Sequence, residues 1–108
     1  MILPQKTASV DVGGKQVQGT LIELENAVLC FIWHGEKPRM GSTVVTLPDG
    51  TTSQVIGERD QLTSRLAGER LAKSYSKLAL VSTNLPADIQ FGREFSQLLA
   101  DLTRKQDE

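Results

Sequence analysis

The chain is poor in the residues from which most catalytic and metal centres are built. Its 108 residues include one cysteine, Cys30, and one histidine, His34. A lone cysteine excludes an internal disulfide framework and suits a reducing compartment, so the expected location is the cytoplasm, with the nucleus as a second site. Two soft ligands fall short of the four that a structural zinc site takes, and no metal or cofactor is expected. No apolar run approaches the roughly 20 residues that span a bilayer. Met1-Ile2-Leu3-Pro4 has neither the basic start nor the apolar core of a signal peptide. Charge of one sign is also lacking: 12 Lys and Arg face 13 Asp and Glu, for a net charge of −1. Nucleic-acid binders carry a basic field, as do proteins that bind anionic membranes, so neither nucleic acid nor membrane is expected as a partner.

What is present is the material of an ordinary globule. Hydrophobic residues make up 39% and charged residues 23%, and 108 residues suffice for one core, so residues 1–108 read as one domain. Residues 6–12 alternate with Ala8, Val10 and Val12 on one side, the period of a half-buried strand. Gly13-Gly14 is a hairpin turn. A second strand over residues 15–24 sets Val17, Gly19 and Leu21 against a solvated face of Gln16, Gln18 and Thr20. Past Leu21 the alternation shifts, and a bulge at Gly19 or Thr20 would account for it. Glu25-Asn26 is the next turn, with Asn26 suited to the left-handed conformation of a two-residue hairpin.

Residues 27–33 contain no polar side chain and read as a central strand covered on both faces. Residues 35–41 are a charged, turn-rich loop, and Thr43 to Leu47 form a β-branched strand. Pro48-Asp49-Gly50 turns the chain back into a strand over residues 51–56. Asp60 is a fitting N-cap for a helix over residues 61–76. Leu78-Ala79-Leu80-Val81 is an apolar interior strand that ends before Pro86. If it shares a sheet with the strand before the helix, the connection is a right-handed crossover. Asp88 caps a last helix whose stripe is Phe91, Phe95, Leu98, Leu99 and Leu102, with Arg93, Glu94, Gln97 and Asp101 facing away. The fold class is therefore α+β: a largely antiparallel sheet of five to six strands with two helices, in the order β-β-β-β-β-α-β-α.

The first helix is less tidy. Leu62 and Leu66 lie towards one edge, Leu71 and Tyr75 towards the other, with Thr63, Ala67, Arg70 and Ser74 between. A face with so many small residues admits close approach, most simply to the protein's own sheet.

Catalytic constellations fail one after another. Cys30 and His34 fall on one strand face about 13 Å apart, beyond hydrogen-bond reach, so they form no dyad. Gly68-Glu69-Arg70-Leu71-Ala72-Lys73-Ser74 has the outline of a phosphate loop but lacks the glycine before the lysine and lies inside a helix. Paired carboxylates such as Glu23 and Glu25 are solvent-facing. The chain is not expected to be an enzyme. Trp33, the only tryptophan, either closes the core at a strand end or anchors an interface.

Several strings resemble the small proteasome assembly chaperones, the chaperone 3 and chaperone 4 families. Val28-Leu29-Cys30-Phe31-Ile32-Trp33 looks like that family's hydrophobic strand, and Met40-Gly41-Ser42-Thr43-Val44-Val45 is similar to the chaperone 3 strand entry. Val55-Ile56-Gly57 with Leu66-Ala67 and Leu71-Ala72-Lys73 resembles the chaperone 4 helix and the glycine before it. Leu80-Val81-Ser82-Thr83-Asn84-Leu85 looks like the last strand of chaperone 4. The resemblance runs from about Val28 to the end and leans towards chaperone 4. It implies a non-enzymatic chaperone that pairs with a related small chaperone, or with itself. Such a dimer holds proteasome α-subunits during α-ring assembly of the 20S core particle and leaves before that particle matures. The family offers no catalytic motif to carry over.

A chaperone of this kind needs a rigid scaffold and a releasable surface. The expected partner-binding residues are Trp33, Lys37, Arg39 and Met40 in and beside the 35–41 loop, and Arg65, Glu69 and Lys73 on the first helix. Two other classes remain open: a dimeric α+β scaffold subunit of another complex, and a small enzyme or ligand-binding domain with a deep polar pocket.

Overall fold

The computed structural model describes residues 5–57, 61–86 and 92–104. Strand β1 (Gln5–Val12) pairs antiparallel with β2 (Lys15–Glu23), and β2 with β3 (Ala27–His34). Strand β4 (Ser42–Thr46) pairs antiparallel with both β5 (Thr52–Ile56) and β6 (Leu78–Asn84). The pair β3 and β6 is parallel. One six-stranded sheet results, ordered β1-β2-β3-β6-β4-β5, with helices α1 (Gln61–Tyr75) and α2 (Arg93–Thr103). The fold is α+β in the expected order, its sheet mixed through one parallel pair. β5 and β6 run the same way with β4 between them, so α1 is a crossover connection.

The turns follow from their residues. Gly13 and Gly14 both take positive φ, and Asp11 Oδ1 accepts a hydrogen bond from the Gly14 amide. Gly50 N–H donates to Leu47 O while Asp49 Oδ1 accepts from the Thr51 amide at 2.8 Å, which closes the β4–β5 turn. The turn after β2 departs from expectation. Leu24 N–H donates to Ala27 O within the three-residue connection 24–26, and Asn26 does not take a positive φ.

No bulge interrupts β2, whose register with β1 and β3 is continuous. Gly19 serves packing instead: a Cβ there would meet Leu102 Cδ1 of α2 at 2.8 Å. The sheet's irregularity lies between β4 and β5, where the register skips Val55.

Both helices cover the same face. α1 packs on β4 and β6, α2 on β1 and β2. The register sets Leu21, Cys30, Val81 and Val44 in one row across that face, and Gly19, Ile32 and Thr83 in the next. Leu21, Cys30, Ile32, Val44 and Val81 from these rows join Leu71, Leu98, Leu99 and Leu102 in the core. Each such leucine contributes about 1.5–3 kcal/mol through burial.

α1 sits closer to the sheet than its pattern implied. Its buried face is Ser64, Ala67, Gly68, Leu71 and Ala72, while Arg70, Ser74, Leu62 and Leu66 are exposed. The reason is steric: Gly68 lies directly over Thr46 and Val44, and larger residues there would hold the helix off. α2 follows its stripe, with Phe95, Leu98, Leu99 and Leu102 buried. It begins at Arg93 with Gly92 in the cap position; Asp88 and Phe91 lie outside the described residues, as does Asp60.

Candidate functional site

The side of the sheet away from the helices has no second layer among the described residues. On β3 the alternation is plain: Val28, Cys30 and Ile32 are fully buried, whereas Ala27, Leu29 and Phe31 are only half-buried. The strand is central but not covered on both faces, which corrects the sequence expectation. The same holds on β6, where Leu78 and Leu80 are half-buried and Ala79 and Val81 fully buried.

The register turns these positions into a band. Ile22 stands opposite Leu29, Leu29 opposite Leu80, and Leu80 opposite Val45. Phe31 and Leu78 flank the row on either side. On the neighbouring edge strand, Val55 and Ile56 are 58% and 56% exposed. Towards β1 the surface turns polar, with Gln5, Thr7, Ser9 and Asp11 exposed. An apolar band of this breadth on a sheet is the kind of surface that another protein covers.

The loop between β3 and β4 closes one end of the band. Three open-face side chains hold it: the Gln18 amide donates to Gly35 O, Ser82 Oγ accepts from the Gly41 amide at 2.9 Å, and Asn84 Nδ2 donates to Met40 O at 2.8 Å. Trp33 lies on this face beside Gln18 and Asn84, and only 6% of it is exposed. Its indole N–H is buried without an acceptor among the described residues. Gly41 has no room for a side chain, because a Cβ would stand 2.1 Å from Thr83 O.

The residues singled out from sequence thus form two groups, not one. Trp33 lies buried on the open sheet face, and Lys37, Arg39 and Met40 are exposed in the loop whose ends that face holds. Arg65, Glu69 and Lys73 are exposed on α1, which packs on the opposite face of the sheet. Sequence reasoning passed over Ile22, Leu29, Phe31, Val45 and Leu80. Only half of the signal is in the sequence, where β3 and β6 carry apolar residues at successive positions; that both helices dock on the same face is decided by the tertiary structure.

The titratable groups have structural surroundings. Burial pushes the Cys30 thiol up to about 12. His34 Nδ1 sits 3.3 Å from Asn84 O at the strand end. Lys77 Nζ bridges Glu23 Oε2 and Leu24 O, each at 2.8 Å, and ties the β2–β3 turn to the start of β6. The Tyr75 hydroxyl is raised by burial and by the nearby Glu23 carboxylate. Among the described residues no three His, Cys, Asp or Glu are grouped to hold a metal ion, and no helix is long and apolar enough to cross a membrane.

Neither a family model nor a curated protein matches the sequence. Eleven chains of solved structures match the fold. One belongs to the crystal structure of a chaperone complex for yeast 20S proteasome assembly, with a TM-score of 0.53 and 9% identity over 89% of this chain and 84% of that one. At that identity the likeness is one of fold.

Proposed function

We propose that this chain is a non-enzymatic assembly chaperone of the 20S proteasome. It acts as a dimer, with a related small chaperone or with a second copy of itself, binds proteasome α-subunits and promotes α-ring assembly in the cytoplasm and nucleus. The observation that carries the reading is the apolar band Ile22–Leu29–Leu80–Val45 on a sheet face that the chain's own helices leave uncovered.

The dimensions suit a dimer built sheet to sheet. Six strands spaced about 4.8 Å apart and about seven residues long make a face of roughly 29 by 23 Å. That is about 670 Å² before side-chain relief, close to the roughly 800 Å² per partner of a stable interface. The shared fold with a proteasome assembly chaperone chain directs the choice of client. A buried, unreactive thiol and a structurally engaged His34 fit a protein that works by contact.

A second reading is supported by the same band: a dimeric scaffold subunit of another complex. Affinity capture of the tagged protein from its own cells, read by mass spectrometry, separates the two. Recovery of α-subunits and a second small chaperone, without mature β-subunits, supports the chaperone. Recovery of the chain alone or with an unrelated complex overturns it in favour of the scaffold.

A further inference from the structure

We infer that the outer ridge of α1 is the surface that docks the client subunit, and that it takes a helical segment of reversed charge order. The inference rests on the chaperone reading above and adds to it which surface meets the α-subunit.

Three observations lead there. First, the open face and α1 lie on opposite sides of the sheet, so a sheet-to-sheet dimer leaves both copies of α1 facing outwards. Second, α1 keeps two large apolar side chains in solvent, Leu62 at 68% and Leu66 at 50% exposure, one turn apart. Nothing in the helix's own packing needs them, since its buried face is made by Ser64, Ala67, Gly68, Leu71 and Ala72. Third, Arg65, Glu69 and Lys73 follow at spacings of four, an arrangement that favours ion pairs within a helix. None of the three makes an ion pair with a described residue. The ridge from Leu62 to Lys73 is about 16 Å long, three turns of helix.

These features define the complement. The ridge reads apolar, plus, apolar, minus, plus. A client helix of at least three turns matches it with an apolar pair over Leu62 and Leu66 and with acidic, basic and acidic residues against Arg65, Glu69 and Lys73. Burial of the two leucines supplies affinity; the alternating charges set register and suppress wrong partners. Contacts this few give a releasable complex, as an assembly factor requires.

The test uses the full-length chain and individually purified 20S α-subunits. Binding is measured for the wild type, for Leu62→Ala with Leu66→Ala, and for Glu69→Lys, with dimer mass followed by light scattering. The expected result is that the leucine variant loses at least tenfold in affinity for the α-subunit that the wild type binds. Glu69→Lys loses several-fold, and both variants keep the wild-type dimer mass and melting temperature. Undiminished binding by both variants overturns the inference and leaves the chaperone reading standing. Binding of no α-subunit by the wild type overturns that reading and the inference with it. A dimer-to-tetramer shift in the wild type that the leucine variant abolishes assigns the ridge to a second copy, and likewise overturns the inference.

Discussion

Leu29 and Leu80 stand opposite each other in the parallel pair of β3 and β6, half-buried on the face that neither α1 nor α2 covers. Their neighbours along the strands, Cys30 and Val81, are also paired and wholly buried on the other face. One step along the chain separates the folding core from the proposed dimer surface. Leu80→Asp is therefore expected to leave the domain folded and to weaken the dimer by about 2 kcal/mol or more, the loss of a central interface residue. Light scattering over a dilution series checks the mass, and circular dichroism checks the fold. A dimer unchanged by the substitution removes the sheet-to-sheet arrangement.

Gly68 tests a conflict between local and tertiary preference. In an exposed helix Gly→Ala gains about 1 kcal/mol. Here the new Cβ would lie 2.5 Å from Thr46 Oγ1, and overpacking of that kind costs about 1–3 kcal/mol. Gly68→Ala should therefore lower stability in chemical denaturation. Thr46→Ala removes the clashing oxygen, so it should cost less in the Gly68→Ala background than alone.

Cys30 should be inert in the folded protein. With its thiol pushed up to about 12 and no exposed surface, almost no thiolate forms at pH 8. Reaction with a thiol reagent should be at least a hundredfold slower in buffer than in denaturant. Because the folded thiol holds its proton more tightly than the unfolded one, its contribution is complete below the unfolded value of about 8.5 and is lost as the pH climbs towards the folded value. Thermal melts from pH 8 to 11 should fall more steeply for the wild type than for Cys30→Ala.

Asp49 acts at the other end of the pH scale. The Thr51 amide and hydroxyl, by hydrogen bonding, hold its carboxyl below the ordinary carboxylate range. Its contribution to the β4–β5 turn is thus present above the unfolded value of about 3.9 and is lost as the pH falls through the lower folded one. The Thr51 amide resonance should follow that titration, and Asp49→Ala should abolish it.

Gly41 fixes the end of the loop that borders the band. Its Cβ would run into backbone at Thr83, which has no flexible end to move aside. Gly41→Ala should destabilise the domain by about 1–3 kcal/mol or shift the start of β4, and the Trp33 emission maximum should move red as the covering loop lifts.

Most of the architecture was legible because it is written in local terms. Alternation marks β1 and β2, the Gly13-Gly14 and Pro48-Asp49-Gly50 turns name themselves, and Phe95, Leu98, Leu99 and Leu102 define one face of α2. α1 was harder to read. Its contact face is made of Ser64, Ala67, Gly68 and Ala72 around Leu71, so hydrophobic spacing misplaces the buried side. The shifted alternation at Gly19 and Thr20 admits a bulge in local terms, because the residue that needs the space at Gly19, Leu102, lies far away in sequence. Charge beside possible apolar anchors marks both Trp33, Lys37, Arg39 and Met40 and the α1 residues Arg65, Glu69 and Lys73, but the two groups do not come together in the fold.

By itself the sequence determined the element order, the turns, the two apolar faces of β3 and β6 and the poverty of catalytic groups. These depend on backbone preference and side-chain period, which act over a few residues. Only the tertiary structure decided that both helices settle on one face of the sheet, leaving Ile22, Leu29, Leu80 and Val45 in a continuous uncovered row. Which apolar face is covered depends on where α1 and α2 dock. That docking depends on close contacts between residues distant in the chain, Gly68 with Thr46 and Gly19 with Leu102, which no local pattern encodes.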